Sequence, residues 1–149
     1  MVYLTRRYHL SAAHRLHNGA LSPEENLRVY GKCNNPHGHG HNYVLEVTVA
    51  GPIDPVTGMV CDLAFLDSVV EKEILERFDH RHLNLEAESF LTRVPTTENL
   101  CVEVSNLLRS RIDQAGSDVH LKRVRLEETS SNSFEYEGEE QGDETVQKA

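Results

Sequence analysis

The chain has 149 residues and a formal net charge of −9, a length that suits one domain able to bury a core without staples. An acidic balance disfavours nucleic-acid binding, which needs a basic face, and no apolar run is long enough to span a membrane. The opening MVYLTRRYHLSAAH lacks the apolar core and cleavage site of a signal peptide, so a cytoplasmic protein with reduced thiols at Cys33, Cys61 and Cys101 is expected.

In chain order, residues 2–13 mix β-branched, aromatic and polar types without a helical stripe and read as a strand. Residues 22–30 (SPEENLRVY) read as a helical turn or loop. Residues 42–50 alternate, with Tyr43, Leu45, Val47 and Val49 on one face. GPIDPVTG is a dense turn signal. Leu63 to Phe78 carries a helical stripe of Leu63, Phe65, Leu66, Val69, Val70, Ile74, Leu75 and Phe78. A second helix runs from Thr97 to about Gln114, capped by Thr96 or Thr97, with Glu98 in its first turn and Gly116 as its stop. LKRVRLEE alternates again, placing Val124, Leu126 and Glu128 on one face, and SFEYEG closes a domain spanning 1–138. Residues 139–149 form an acidic tail, expected to be frayed. Paired strands around two helices predict an α+β domain with antiparallel hairpins covered on one face; the other face must be solvated or buried by assembly.

CNNPHGHGHNY is the chemically dense stretch. In an extended chain His39 and His41 project side by side and can share one metal ion, with Gly38 and Gly40 offering no obstruction. A third ligand is expected from His14, which an antiparallel neighbour would place opposite the pair. His37 has the same parity, but Gly38 leaves its direction open. The competing reading is a loop of solvated histidines. Cys33 is a metal ligand, a reactive base or nucleophile, or an inert small side chain; its neighbours Lys32, Asn34 and Asn35 are not those of a core. Cys61 and Cys101 sit in apolar context and read as inert. Asp79 can orient and strengthen His80 as a base, although adjacent residues seldom bond well through their side chains. His82 reads as a plain surface residue. Glu128 is either a core-edge carboxylate or an anchor for a guanidine-like ligand edge.

Taken together, SAAHRL, GKCNNPHGHGHNY, DPVTGMVCDL, FDHRHLN, PTTENL and LEET resemble, in order, the motifs of the 6-pyruvoyl-tetrahydropterin synthase family. The resemblance spans about residues 8–137. It implies that His14, His39 and His41 bind zinc, that Cys33, Asp79 and His80 form a catalytic triad, and that Glu128 anchors a pterin ring beside Thr96, Thr97 and Glu98. Aligning Thr129 selects Glu128 over Glu127. Five residues separate Cys33 from the H-G-H motif, which resembles the pyruvoyl-forming branch; carboxy-forming relatives typically show three. His37 stands where animal members have asparagine. The implied substrate is 7,8-dihydroneopterin triphosphate, with Arg15 and Lys32 as candidate triphosphate cations. The implied fold is a four-stranded antiparallel sheet with two helices on one face. Trimers of it would pair into a homohexamer with active sites between subunits. The alternatives are a 6-carboxy-tetrahydropterin synthase, a non-catalytic zinc- or pterin-binding module, and a structural protein whose histidines bind nothing. No nicotinamide fingerprint is present.

Overall fold

Alternating apolar residues build a sheet, and two amphipathic helical segments cover one of its faces. The computed structural model describes residues 1–138; the tail expected at 139–149 lies outside the described residues. The elements are β1 (Val2–His14), α1 (Pro23–Tyr30), a 3-10 turn (Gly31–Asn34), β2 (His39–Gly51), α2 (Leu63–Val70), a π-type segment (Glu71–Leu75) and α3 (Glu76–Phe78). There follow β3 (Arg81–His82), α4 (Leu83–Glu86), a 3-10 turn (Glu88–Phe90), α5 (Thr97–Asp113), β4 (His120–Thr129) and β5 (Asn132–Tyr136).

The sheet order is β3-β1-β2-β4-β5. The four long strands pair antiparallel as expected. The fifth, β3, has two residues and runs parallel to β1 at Ala12 and Ala13, too short to leave a periodic signal. In β1–β2 the register sets Val2 opposite Gly51 and His14 opposite His39, so the strands stay paired to the end that carries the histidines.

Leu10 and Ala12 of β1, Tyr43 to Val49 at alternate positions of β2, and Leu121, Val124 and Leu126 of β4 are buried. They pack against Leu66, Val69, Val70, Ile74 and Phe78 of the α2–α3 segment, and against Leu100, Val104, Leu108 and Ile112 of α5. Each buried Leu, Ile, Val or Phe among them contributes about 1.5–3 kcal/mol by leaving water. A register shift at Thr48/Val49 sets Arg123 opposite Thr48 and Leu121 opposite Val49. That bulge is how Leu121 and Val124, three apart, both face the core. The opposite face is polar: Glu46 accepts from Arg7 at 2.8 Å and pairs with Arg125 at 3.5 Å, and Arg125 also pairs with Glu135 at 3.7 Å.

Local chemistry explains the helices. Of the segment read as a helical turn or loop, residues 23–30 form an eight-residue helix. The Ser22 hydroxyl accepts from the Glu25 amide, Pro23 occupies the first turn, and Glu24 and Glu25 complement the dipole. Asp62 caps α2 through the Ala64 amide, and Thr96 caps α5 through the Asn99 amide. The Leu63–Phe78 stripe is one continuous helical run interrupted by the wider π-type turn. There the buried Glu73 pairs with Arg77 at 3.1 Å and Arg111 at 3.4 Å. Among the described residues no helix is long and apolar enough to cross a membrane.

Candidate active site

His14, His39 and His41 meet at one end of the sheet, His14 on β1 and the pair on β2. Their ligand atoms all lie within 4.8 Å of one another, and the rings stand at 79°, 83° and 87° to each other. His14 is buried, and its Nδ1 donates to the Pro95 carbonyl at 2.8 Å. A carbonyl accepts only from N–H, so Nδ1 holds the proton and Nε2 presents a lone pair to the cluster. That Nε2 lies 3.2 Å from His39 Nε2. Two imidazoles on one tetrahedral zinc, at Zn–N of about 2.0–2.1 Å, stand about 3.3 Å apart. Burial pushes the His14 and His41 pKa values down, favouring the neutral, metal-binding imidazole. His41 Nε2 is buried without a hydrogen bond; Glu128 Oε1 lies 3.2 Å away, but not in hydrogen-bonding geometry. Three converging imidazole nitrogens, one of them buried without a hydrogen bond, fit a divalent metal ion.

Gly38 serves a different purpose from the open space expected of it. Its φ is +73°, and a Cβ there would meet the His14 carbonyl oxygen at 2.8 Å and His82 Nε2 at 3.0 Å. Only glycine lets the loop cross His14 this closely. Gly40 is exposed, its side-chain position pointing away from the cluster at Ala12 O. His82 is not a plain surface residue: it is half-buried against Gly38, and its Nδ1 is buried without a partner.

Glu128 lies beside the histidines because β4 continues past its bulge with Val124, Leu126 and Glu128 on the helix side. The Thr97 hydroxyl, in the first turn of α5, donates to Glu128 Oε2. Tyr43, 1% exposed, brings a buried hydroxyl without a hydrogen bond to the same region. Burial, reinforced by the Glu128 charge, pushes its pKa up, so it stays a phenol. Cys33 is half-buried on the Gly31–Asn34 turn and senses the same carboxylate; burial first, then Glu128, pushes its thiol up. Among the described residues no hydrogen bond or ion pair joins its thiol to a base or cation.

Asp79 and His80 stand close together but not in hydrogen-bonding geometry, as expected of adjacent residues. His80 Nδ1 lies 3.0 Å from Asp79 Oδ1, which also accepts the Ser11 amide at 2.8 Å. The His80 amide in turn donates to the Ser11 carbonyl at 2.6 Å. His80 reaches this position with φ at +61°, a conformation that costs an L-residue roughly 1–2 kcal/mol. Its side chain is 82% exposed. Among the described residues no hydrogen bond joins Cys33 to Asp79 or His80, so one chain does not assemble the expected triad. His80 instead faces an open cleft of about 440 Å³ shared with Ser11, Gly40, His41 and Asn42.

Thr96 spends its hydroxyl as a helix cap, and Glu98 is exposed in the first turn of α5, outside the cluster. His37 is exposed and is not one of the three converging histidines. Arg15 turns its Nε to the Asn34 carbonyl at 3.1 Å, while Lys32 is exposed on the Cys33 turn. Sequence reasoning missed the Pro95 carbonyl, because nothing in a proline marks its oxygen as the orienter of a histidine eighty-one positions away.

The family model described as 6-pyruvoyl tetrahydropterin synthase matches residues 3–139. A human protein named 6-pyruvoyl tetrahydrobiopterin synthase is 45% identical over 136 residues, covering 91% of this chain and 91% of that protein. A Drosophila melanogaster protein of the same name is 45% identical over 138 residues, covering 93% of this chain and 80% of that one. The solved structure of Caenorhabditis elegans 6-pyruvoyl tetrahydropterin synthase superposes with a TM-score of 0.86 at 43% identity, covering 93% of this chain and 96% of that one.

Proposed function

The chain belongs to the 6-pyruvoyl tetrahydropterin synthase family, and on that premise we propose that it converts 7,8-dihydroneopterin triphosphate to 6-pyruvoyl-tetrahydropterin in tetrahydrobiopterin biosynthesis. The observation that carries this reading is the joining of three metal-capable histidines to an inward carboxylate, Glu128, held by Thr97. The reaction balances internally. Two side-chain carbinols become ketones and give up four hydrogens; two enter the ring, one replaces the triphosphate on the terminal carbon to make a methyl group, and one leaves with the triphosphate, so no nicotinamide or water is consumed.

Glu128 accepts the N–H groups of the pterin's guanidine-like edge, with Thr97 fixing the carboxylate's rotation. This places the substrate side chain toward the histidines. A zinc ion held by His14, His39 and His41 would supply Lewis-acid stabilisation to the side-chain oxygens. Cys33 carries protons between side chain and ring. Its thiol is pushed up in the isolated chain, so it needs an added cation or base. Asp79 and His80, held outward on a strained turn, supply that base to a second copy of the chain. Exposed Leu27, Val29, Ile53, Val56, Leu85 and Leu91 support burial by assembly, and we take the assembly to be a homohexamer of paired trimers in the cytoplasm.

Triphosphate release tests the chemistry. Metal-loaded protein should release it, and Cys33→Ala should keep its full metal content while losing more than about 90% of turnover, in line with the 10²–10⁴-fold of acid–base catalysis. Undiminished release by Cys33→Ala would remove the thiol from the mechanism.

A further inference from the structure

Beyond β1, three asparagine side chains and a single backbone bond stand where a strand ladder would continue. The Arg15 amide donates to Asn84 Oδ1 at 2.7 Å, and its carbonyl accepts from Asn84 Nδ2 at 2.8 Å. The Leu16 amide donates to the Cys33 carbonyl at 2.9 Å, and the Leu16 carbonyl accepts from Asn34 Nδ2 at 2.8 Å. Asn26, fully buried, takes the Asn18 amide and carbonyl, both at 2.9 Å. The second Asn34 amide proton goes to His17 Nδ1 at 3.0 Å, so both donors of that side chain are used. Arg15 Nε closes the arrangement on the Asn34 carbonyl at 3.1 Å.

This ribbon begins one residue after His14. It therefore ties the metal centre to two further segments: Asn34 to the turn of Cys33, and Asn84 to α4, just after the Asp79–His80 pair. Asn34 is adjacent to Cys33 and bonds across seventeen and eighteen positions of sequence. We propose that Asn34 is a positioning residue, whose side-chain amide fixes the Cys33 turn to the strand end bearing His14 and so sets where the thiol stands relative to the metal centre. The inference rests on the reading of Cys33 as the proton carrier. It concerns neither metal binding nor ring recognition, which belong to other residues.

The test is Asn34→Leu, close in size and without donors, measured beside Cys33→Ala and the double variant in metal-loaded protein. The expected result is a roughly ten- to a hundredfold fall in kcat, the cost of misplacing a reacting group by about 1 Å, with KM and metal content within about twofold of the parent. In the Cys33→Ala background Asn34→Leu should lower turnover no further, because a residue acting through the thiol has nothing left to position. Parent kcat in Asn34→Leu beside an inactive Cys33→Ala overturns the inference alone. Multiplicative losses in the double variant, or a loss of metal, overturn it in favour of a structural role. Full turnover in Cys33→Ala overturns both the reading and the inference. Asn34→Asp, which removes the same donors at the same size, carries the test if Asn34→Leu does not fold.

Discussion

Individual residues at the metal centre divide into those that ligate and those that aim. His14, His39 and His41 are the groups that could ligate; Pro95, through its carbonyl, and Gly38, through its conformation, aim. Removing a ligand should cost more than the roughly 10–100-fold in affinity lost with an outer partner. His39→Ala is thus expected to give folded protein with little bound metal by elemental analysis, and full metal content would place the site elsewhere. The convergence of the three histidines was legible in the sequence because strand parity is strict: i and i+2 share a face, and an antiparallel neighbour supplies the third. The aiming groups were not. A backbone carbonyl has no signature, and Gly38 looked like empty space when it is a crossing point. His82 was hidden for the same reason, since its burial depends on that crossing.

Among elements, the joint between β1 and α2 is the clearest case of side chains orienting secondary structure. Asp67 of α2 accepts from Arg6 Nε and Nη2, each at 2.8 Å, and from the Tyr8 hydroxyl at 2.7 Å. The Arg6 hydrogen bond first, then Tyr8, holds the Asp67 carboxyl below its ordinary value. A depressed carboxylate stabilises the fold above its unfolded pKa, and that contribution is lost as pH falls through the folded value. Asp67→Asn should therefore lower the melting temperature at neutral pH and narrow its gap from the parent below about pH 4, the unfolded aspartate value. A gap independent of pH would show that the carboxylate's charge contributes nothing. The four strands and two main helices were legible from periods of two and 3.6. The π-type turn, β3 and the bulge beside Val49 were not, since each adds or pairs only a residue or two and barely disturbs the pattern. α1 was under-read despite its Ser-Pro-Glu-Glu start, because eight residues make a short stripe.

At the scale of the whole molecule, one chain supplies a three-histidine cluster, a carboxylate held by Thr97 and a half-buried thiol, but presents its Asp79–His80 pair outward. The motifs pointed to all of these residues, and the resemblance already implied sites between subunits; strand and helix periodicity carry no such signal, because which copy completes a site is a property of assembly. The central claim is the chemistry performed when the parts are together. The most direct measurement is the mass of the pterin formed when metal-loaded protein is given 7,8-dihydroneopterin triphosphate. The expected result is 6-pyruvoyl-tetrahydropterin with one equivalent of free triphosphate and no added reductant. A 6-carboxy-tetrahydropterin accompanied by acetaldehyde, or unchanged substrate, would contradict the account.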